Sequence, residues 1–285
     1  MIERIAIIGM GLMGGSLARA IRQAGLAREI VGWGRNASSL KAAIDAKVID
    51  RAETQVARAV RDAELVVLAI PVGATAAMLS QLAPALAVHA VVTDVGSVKT
   101  SVIADARAAL GARFPQFVGG HPLAGGEASG FAASHADLYR NSRVILSPEP
   151  DTDPAAVTAV HQLWTALGAQ VATLGAREHD EILARTSHLP HVLAFALMNM
   201  VASDPRVPEF SGNGLRDMTR IAASDAVMWR DICLSNRNAI LASVSALRAT
   251  LDEVARAIES GDADTLEKFL ARARSARRSF GDAAP

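Results

Sequence analysis

The chain has 285 residues, 51% of them hydrophobic, and its 29 Lys and Arg residues balance its 29 Asp and Glu residues. That length suffices for one large or two modest domains, and the balanced charge argues against a nucleic-acid-binding surface. Cys233 is the only cysteine, which excludes an intrachain disulfide framework. The first residues show no basic n-region or cleavage site, so we expect no signal peptide, and no apolar run reaches the ~18 residues that a membrane-spanning helix needs. We therefore expect a cytoplasmic protein with no membrane or nucleic-acid partner.

The first half of the chain alternates short apolar runs, which are typical of buried strands, with helical stretches. The predicted strands cover residues 5–8, 29–33, 64–70, 90–95, 118, 144–146 and 170–174. The predicted helices cover residues 12–24, a stretch capped by Asn36 that ends near 46, then 98–110 and 155–167. This alternation indicates a mostly parallel sheet with right-handed crossovers and helices on both faces.

From about residue 175 onward the pattern changes to long Ala-, Leu- and Arg-rich stretches with a helical period. These stretches cover residues 178–200, 226–260 and 262–279. Helices with no sheet to cover bury their apolar faces on one another or on a second subunit. The sequence thus predicts an α/β protein with two domains. Residues 1–175 form a Rossmann domain, with a doubly wound and mostly parallel sheet, and residues 176–285 form an all-helical domain.

A G-x-G-x-x-G turn joins the first predicted strand to the first helix. Gly9 permits the tight turn, Gly11 lets the backbone approach a pyrophosphate, and Gly14 lets helix and strand pack closely. The N–H groups at the helix start, at Leu12 and Met13, lie at the positive end of the helix dipole and suit a diphosphate. The position of the turn in a β/α alternation favours dinucleotide binding over a glycine turn without a ligand.

The end of the second predicted strand bears on the choice of dinucleotide. An acidic residue there would bind the ribose 2′-hydroxyl of NAD. The sequence instead has Gly34-Arg35-Asn36, with no Asp or Glu. Arg35 is placed to meet a 2′-phosphate, so we favour NADP and leave NAD open. The alternative is that Arg35 is an ordinary solvent-facing arginine beside a helix cap.

Five further segments combine glycines with chemically active side chains. They are TDVGSVK at 93–99, GGHPLAG at 119–125, SHLPH at 187–191, GNGLRDMTRIA at 212–222 and WRD at 229–231. In this order they closely resemble the prephenate and arogenate dehydrogenases of tyrosine biosynthesis, over nearly the whole chain. The resemblance implies a Rossmann enzyme whose helical domain binds substrate and also forms a homodimer. It further implies NAD(P)-dependent oxidative decarboxylation of prephenate, arogenate or both; no motif decides between these substrates.

In that reaction a hydride leaves C4 of a cyclohexadiene, the C4 hydroxyl loses its proton, and CO2 departs as the ring becomes aromatic. The enzyme must supply a base at the hydroxyl, cations for the carboxylates, and a nicotinamide in register with C4. His121 follows a short strand at the carboxyl edge of the sheet, and an imidazole with an ordinary pKa of ~6.5 accepts a proton at neutral pH. From the residues alone, a turn histidine satisfied by the backbone is the alternative. The resemblance implies that His121 is the base and hydrogen-bonds the ring hydroxyl.

Ser97 stands where a helix is predicted to begin, so a plain N-cap is one interpretation. The resemblance implies that this serine also contacts the ring hydroxyl and helps to orient the histidine. A cap side chain at a sheet edge would face the cofactor crevice as well. Lys99, in the predicted first helical turn, either lends positive charge to the site or is an ordinary solvated lysine.

Arg220 is the candidate clamp for a substrate carboxylate, because a guanidinium pairs with a carboxylate through two parallel hydrogen bonds. A lone arginine in this setting is more often part of a surface ion pair, and the resemblance decides for the clamp. Asp217 is predicted to hold Arg220 or to form an ionic gate with it. Glu127, just past the His-Pro motif, is a candidate second member of that gate.

The resemblance also implies that His191 lies near the charged groups of the substrate and that Trp229 packs at the rim of the site. His188 is either structural or lines the cleft, and the spacing of His188 and His191 lacks a third partner for a metal, so we predict no metal. Cys233 is interpreted as a small apolar filler in a helix. The remaining histidines carry no motif and are predicted to lie on the surface: His89, His135, His161 and His179.

Two alternatives remain open. β-Hydroxyacid dehydrogenases and related reductases share the Rossmann-plus-helical plan, but they need a catalytic lysine on a long interdomain helix. The stretch 178–200 contains no lysine. A non-catalytic dinucleotide sensor would keep the glycine turn and have a broken His121 or Arg220 motif, and both motifs are intact.

Overall fold

The computed structural model describes residues 1–126 and 128–281, and one sheet organises the first half of this part of the chain. Its strands are β1 (Ile2–Ile8), β2 (Ala27–Trp33), β3 (Arg51–Glu53), β4 (Leu65–Leu68), β5 (Val91–Asp94), β6 (Phe117–Pro122), β7 (Arg143–Ser147) and β8 (Gln170–Thr173). They lie in the order β3-β2-β1-β4-β5-β6-β7-β8. Neighbouring strands are parallel except for the antiparallel pair β6 and β7. The first six strands have the order of a dinucleotide-binding Rossmann fold, which confirms the predicted fold class.

Helices cover the sheet and then form the C-terminal half. They are α1 (Leu12–Ala24), α2 (Ala37–Asp45), α3 (Val56–Ala59), α4 (Thr75–Leu82), α5 (Thr100–Leu110), α6 (Pro154–Ala166), α7 (Ala176–Leu183), α8 (Leu189–Val201), α9 (Val207–Phe210), α10 (Asn213–Thr219), α11 (Ala226–Ser235), α12 (Arg237–Ser260) and α13 (Ala263–Gly281). Within residues 1–126 and 128–281, no helix combines the length and apolar character needed to cross a membrane.

The buried core has two parts, one on each face of the sheet. Along β1, Ile5 and Ile7 join the core beneath α1 and α6, whereas Ala6 and Ile8 join the core beneath α4 and α5. Because both faces are covered, these strands are apolar throughout rather than alternating. Two α11 side chains, Trp229 and Ile232, belong to the core beneath α4 and α5. The helical half therefore packs against the same sheet face as those two helices.

The predicted long helices are interrupted at two places. A π-helical turn, Ala184–His188, separates α7 from α8, just before Pro190 in the first turn of α8. Proline has no N–H to donate, so the regular bonding pattern must shift there. The predicted helix over 226–260 breaks at Asn236, whose side-chain amide donates to the carbonyl of Asp180 on α7.

Candidate active site

The glycine turn has the shape that a dinucleotide diphosphate requires. Gly9 has a φ of +110°, and a Cβ there would lie 2.2 Å from the Ala69 carbonyl oxygen at the end of β4. A Cβ on Gly14 would lie 1.8 Å from the Gly9 carbonyl oxygen, whereas a Cβ on Gly11 would meet no atom within 4 Å. Gly11 begins α1 without a side-chain cap or an acidic residue in the first turn. The helix start is therefore open to an anion.

The segment after β2 leads from the sheet into α2. Asn36 caps α2 by accepting hydrogen bonds from the N–H groups of Ser38 and Ser39, as the sequence predicted. Arg35 is exposed beside this cap. That position is compatible with a solvent-facing arginine and with one that meets a 2′-phosphate, so its role stays a prediction.

A buried ion pair between Lys99 and Asp94 links the carboxyl ends of β5 and β6. The Lys99 side chain is fully buried and contacts the Asp94 carboxylate; its Nζ also donates to the Gly120 carbonyl oxygen at 2.7 Å. The other Asp94 oxygen accepts from the Gly120 N–H at 3.0 Å. Burial lowers the pKa of Lys99, while the Asp94 charge opposes that shift. The interpretation of Lys99 as a solvated lysine is therefore wrong: it fixes the backbone that precedes His121.

His121 lies in β6 beside Ile145 of β7 and is 8% exposed. Its Nδ1 lies 2.8 Å from Nε2 of His179 on α7. Burial, followed by the proximity of His179, Lys99 and His188, holds the pKa of His121 well below its usual range. The ring is therefore neutral at pH 7 and able to accept a proton. The prediction that His179 lies on the surface is wrong, because its side chain is fully buried against His121.

Asp180 joins the helical half to the sheet half. One oxygen accepts from Nδ1 of His179 at 2.8 Å and from the Lys99 N–H at 2.8 Å; the other accepts from the Thr100 N–H at 2.9 Å. Burial opposes ionisation of this carboxyl, but these hydrogen bonds prevail and lower its pKa. Asp180 thus caps α5, which begins at Thr100. The prediction that Ser97 is the cap is wrong; Ser97 is half-buried in the loop between β5 and α5.

His188 is buried close to His121 and Asp180. Its Nδ1 lies 3.0 Å from the side-chain amide nitrogen of Asn236, which also donates to the Asp180 carbonyl oxygen at 2.8 Å. Since an amide N–H is a donor, Nδ1 of His188 is the acceptor. Burial lowers the pKa of His188 to about 4. His188 is therefore a neutral ring that packs between the two halves.

His191 and Trp229 form a stacked pair on the helical side of the site. Their ring centroids are 3.7 Å apart at an interplanar angle of 21°, and Trp229 is buried. Nδ1 of His191 donates to the Ser187 carbonyl oxygen at 3.0 Å. Burial lowers the pKa of His191, and the positive charge of Arg220 lowers it further. Arg220 therefore lies near His191, at the exposed end of α10, and Asp217 is exposed one turn earlier.

The fold brings the two sets of predicted residues into one neighbourhood. His188 is close enough to affect the pKa of His121, and its ring lies 6.1 Å from the Trp229 ring, which in turn stacks on His191. The loop after His121 leads back to the glycine turn, where a Cβ on Gly126 would lie 3.7 Å from the Leu12 side chain. Glu127 follows in that loop and lies outside the described residues.

Sequence profiles of known families match both halves of the chain. The nucleotide-binding domain of prephenate dehydrogenase matches residues 17–173, and the dimerization domain of prephenate dehydrogenase matches residues 175–272. The chain belongs to the prephenate dehydrogenase family. This assignment confirms the family resemblance predicted from the five motifs.

Individual members of the prephenate dehydrogenase family align over almost the full chain. Prephenate dehydrogenase of Bacillus subtilis is 36% identical, and the alignment covers 96% of this chain and 75% of that protein. Cyclohexadienyl dehydrogenase of Zymomonas mobilis is 35% identical, with 96% and 95% covered. The structure of prephenate dehydrogenase from Aquifex aeolicus, in complex with hydroxyphenyl propionate and NAD+, has a TM-score of 0.92 at 32% identity, covering 98% and 99%. The chain is accordingly an NAD(P)-dependent oxidoreductase.

Sequence reasoning missed the residues that surround His121. The dipeptide His179-Asp180 occupies an ordinary helical position, and Asn236 lies within a stretch predicted to be continuous helix. Each contacts a partner 48 to 81 residues away in sequence. The residues on either side of this dipeptide, Glu178 and Glu181, are charged, so local sequence carried no signal of its burial.

Proposed function

We propose that the chain catalyses the NAD(P)-dependent oxidative decarboxylation of prephenate, of arogenate, or of both. The observation that supports this most strongly is a buried, neutral imidazole, His121, at the carboxyl edge of a dinucleotide-binding sheet. His188, which lies near His121, is 6.1 Å from the ring of Trp229; Trp229 stacks on His191, and His191 lies near Arg220. A base on one side and a cation on the other suit a substrate that carries a ring hydroxyl and carboxylates.

His121 acts as the general base in this proposal. A nicotinamide cofactor held at the glycine turn would supply the acceptor for the hydride from ring carbon C4. Nε2 of His121 takes the hydroxyl proton as the hydride leaves; the electron pair released with CO2 then makes the ring aromatic, and the same proton returns to the phenol oxygen. Ser97, in the loop that faces the same edge, contacts the ring hydroxyl and lies beside the cofactor. The low pKa of His121 keeps its lone pair available for this transfer.

The helical half binds the carboxylates. Arg220 pairs with a substrate carboxylate through two hydrogen bonds, and His191 contributes its free ring nitrogen beside it. Trp229 stacks on His191, which fixes the orientation of the imidazole ring, and Trp229 packs at the rim of the substrate site. Asp217 holds Arg220 or forms an ionic gate with it, and Glu127 is the candidate second member of that gate.

Gly11, Leu12 and Met13 would hold the diphosphate of the cofactor at the glycine turn. The tight contacts of Gly9 and Gly14 and the open space at Gly11 support this position. We favour NADP over NAD, because Arg35 is exposed at the end of β2, and the turn after this strand contains no acid.

The protein acts as a homodimer that uses its helical domain, with the boundary between the two domains near residue 175. The two matched family profiles meet at this point, and the second is named for dimerization. Exposed apolar side chains on α12 and α13 also support a second copy: Leu241, Leu251, Ile258 and Leu270. A single copy would leave these side chains in water.

The deciding experiment measures absorbance at 340 nm with four combinations of substrate and cofactor: prephenate or arogenate, with NAD+ or NADP+. Turnover with at least one combination supports the proposal, and the ratios of kcat/KM rank the substrates and cofactors. Tight cofactor binding without turnover of either substrate would contradict it and favour a dinucleotide sensor. Turnover of a β-hydroxyacid alone would favour the other family of reductases, although helices α7 and α8 contain no lysine.

A further inference from the structure

The catalytic histidine of the proposed reaction is the first member of a buried chain of hydrogen bonds. His121 Nδ1 lies 2.8 Å from His179 Nε2, and His179 Nδ1 lies 2.8 Å from an Asp180 oxygen. His179 is fully buried, and Asp180 is 4% exposed. These hydrogen bonds therefore run from the proposed base to a carboxylate through one intervening imidazole, and all three side chains are buried.

Asp180 fixes the direction of these hydrogen bonds. The amides of Lys99 and Thr100 and the ring of His179 lower the pKa of Asp180 against the effect of burial, so the group is an ionised carboxylate. An ionised carboxylate only accepts hydrogen bonds, so Nδ1 of His179 carries a hydrogen. A neutral His179 then has a bare Nε2, which accepts a hydrogen bond from Nδ1–H of His121.

We infer that His179, held by Asp180, is a positioning residue that keeps the hydrogen of neutral His121 on Nδ1 and leaves Nε2 as the proton acceptor. This inference rests on the proposed function, because it concerns how the proposed base is prepared. A free neutral imidazole exchanges its hydrogen between the two nitrogens, and only the form with a bare Nε2 can receive the substrate proton.

The opposite arrangement of hydrogens is disfavoured by the surroundings. It would require a doubly protonated His179 that donates from Nε2, which would place the hydrogen of His121 on the catalytic nitrogen. His179 is fully buried, and burial disfavours the charged form of an imidazole; the Asp180 charge, which would favour it, is already shared with two backbone N–H groups. Among the described contacts, the hydrogen-bond partner of His121 Nδ1 is His179 Nε2, whereas His188 Nδ1 is bonded to Asn236.

The hydrogen bonds from His121 through His179 to Asp180 also stabilise the protonated form of the base. When Nε2 of His121 accepts the hydroxyl proton, the ring becomes a cation whose Nδ1–H already points at His179. The bond from His121 to His179 then becomes charge-assisted, and such bonds are about twice as strong as neutral ones. The hydrogen bond from His179 to Asp180 is strengthened as well, and no proton moves from one of these residues to another.

The first test measures the tautomer directly in the wild-type protein. Two-bond ¹H–¹⁵N NMR of the histidine rings at pH 7.5 distinguishes protonated from bare ring nitrogens, and His121→Asn assigns the His121 signals by their loss. We expect Nδ1 of His121 to be protonated and Nε2 to be bare. The reverse pattern would overturn the inference, whether or not the protein turns over prephenate; conversely, absence of turnover would leave the tautomer result standing.

The second test uses a matched pair of variants. Glutamine offers one acceptor and one donor in place of the two ring nitrogens of His179, whereas leucine offers neither. We expect His179→Leu to lower kcat about 10- to 100-fold. Substrate KM and cofactor affinity should stay within about two-fold, because the ring touches neither ligand in the proposed site. His179→Gln should recover most of kcat, and His89→Leu, at an exposed histidine, should have no effect.

The inference fails if His179→Leu keeps kcat within about two-fold of wild type, or if His179→Gln is as impaired as His179→Leu while both bind cofactor normally. Loss of cofactor binding by His179→Leu would indicate a folding defect. In that event the wild-type tautomer and the kcat of His179→Gln decide the outcome.

Discussion

The proposed site has a sheet side around His121, which includes its α7 partners His179 and Asp180, and a helical side around Arg220, and the two sides differ in burial. His121 and Asp180 are buried and joined through His179, whereas Arg220 and Asp217 are exposed at a helix of seven residues. Electrostatic interactions are stronger in a buried setting, and fixed groups need no reorganisation during reaction. We therefore expect the sheet side to be organised before substrate binds and the helical side to become buried only when substrate is present.

This difference predicts that changes on the sheet side affect turnover and changes on the helical side affect binding. The largest effect is expected for His121→Asn, which removes the base: kcat should fall on the order of 10²–10⁴-fold with a comparatively unchanged KM. Steady-state kinetics measures both constants, with His89→Asn at an exposed histidine as the control. Near-full turnover by His121→Asn would rule out this base.

Because neutral histidines are buried, the free energy of unfolding should also decrease at acid pH. The pKa of His188 is lowered to about 4 in the folded protein, and that of His121 is lowered well below its usual range. The unfolded chain binds these protons near pH 6.5, so stability is fully present above pH 6.5 and declines as pH falls toward 4. The shift in the pKa of His188 corresponds to roughly 3 kcal/mol of unfolding free energy. Denaturant unfolding at several pH values measures it.

The matched variants for this prediction are His188→Gln and His161→Gln. His188→Gln should flatten the decline in unfolding free energy between pH 6.5 and 4, because glutamine does not titrate. His161 is exposed, so His161→Gln should leave the decline unchanged. Equal slopes for wild type and His188→Gln would show that His188 does not bind its proton in this range.

On the helical side, Arg220→Ala should act mainly on binding. A charge-assisted hydrogen bond contributes about 1.5–3 kcal/mol, so KM for substrate should rise roughly 10- to 100-fold with a smaller change in kcat. The control is Arg206→Ala, at an exposed arginine paired with Asp204. An unchanged KM would show that Arg220 does not bind the substrate. A loss confined to kcat would contradict the prediction that the helical side affects binding and the sheet side affects turnover.

The smallest effect is expected at the cofactor end. Arg35 is exposed, and exposed charge pairs contribute at most about 1 kcal/mol. Arg35→Ala should therefore raise KM for NADP+ by roughly five-fold and leave KM for NAD+ unchanged. Equal changes for both cofactors would indicate that Arg35 does not recognise a 2′-phosphate.

The sequence by itself determined the Rossmann sheet, the glycine turn and the family. These features depend on local patterns: continuous apolar runs predict buried strands, and glycines with defined spacing predict the turn before α1. The motif segments preserve their order along the chain, so the resemblance needs no knowledge of contacts. The three-residue strand β3 and the break at Asn236 escaped prediction, since neither leaves a periodic signal.

The tertiary structure alone decided the surroundings of the proposed base. Ser97 is a reasonable N-cap by local pattern, yet the cap of α5 comes from Asp180, 81 residues after Lys99. His179 has the sequence context of a surface histidine, yet it is buried against His121. Burial and long-range hydrogen bonds arise only when distant segments pack together, and for that reason local sequence patterns do not reveal them.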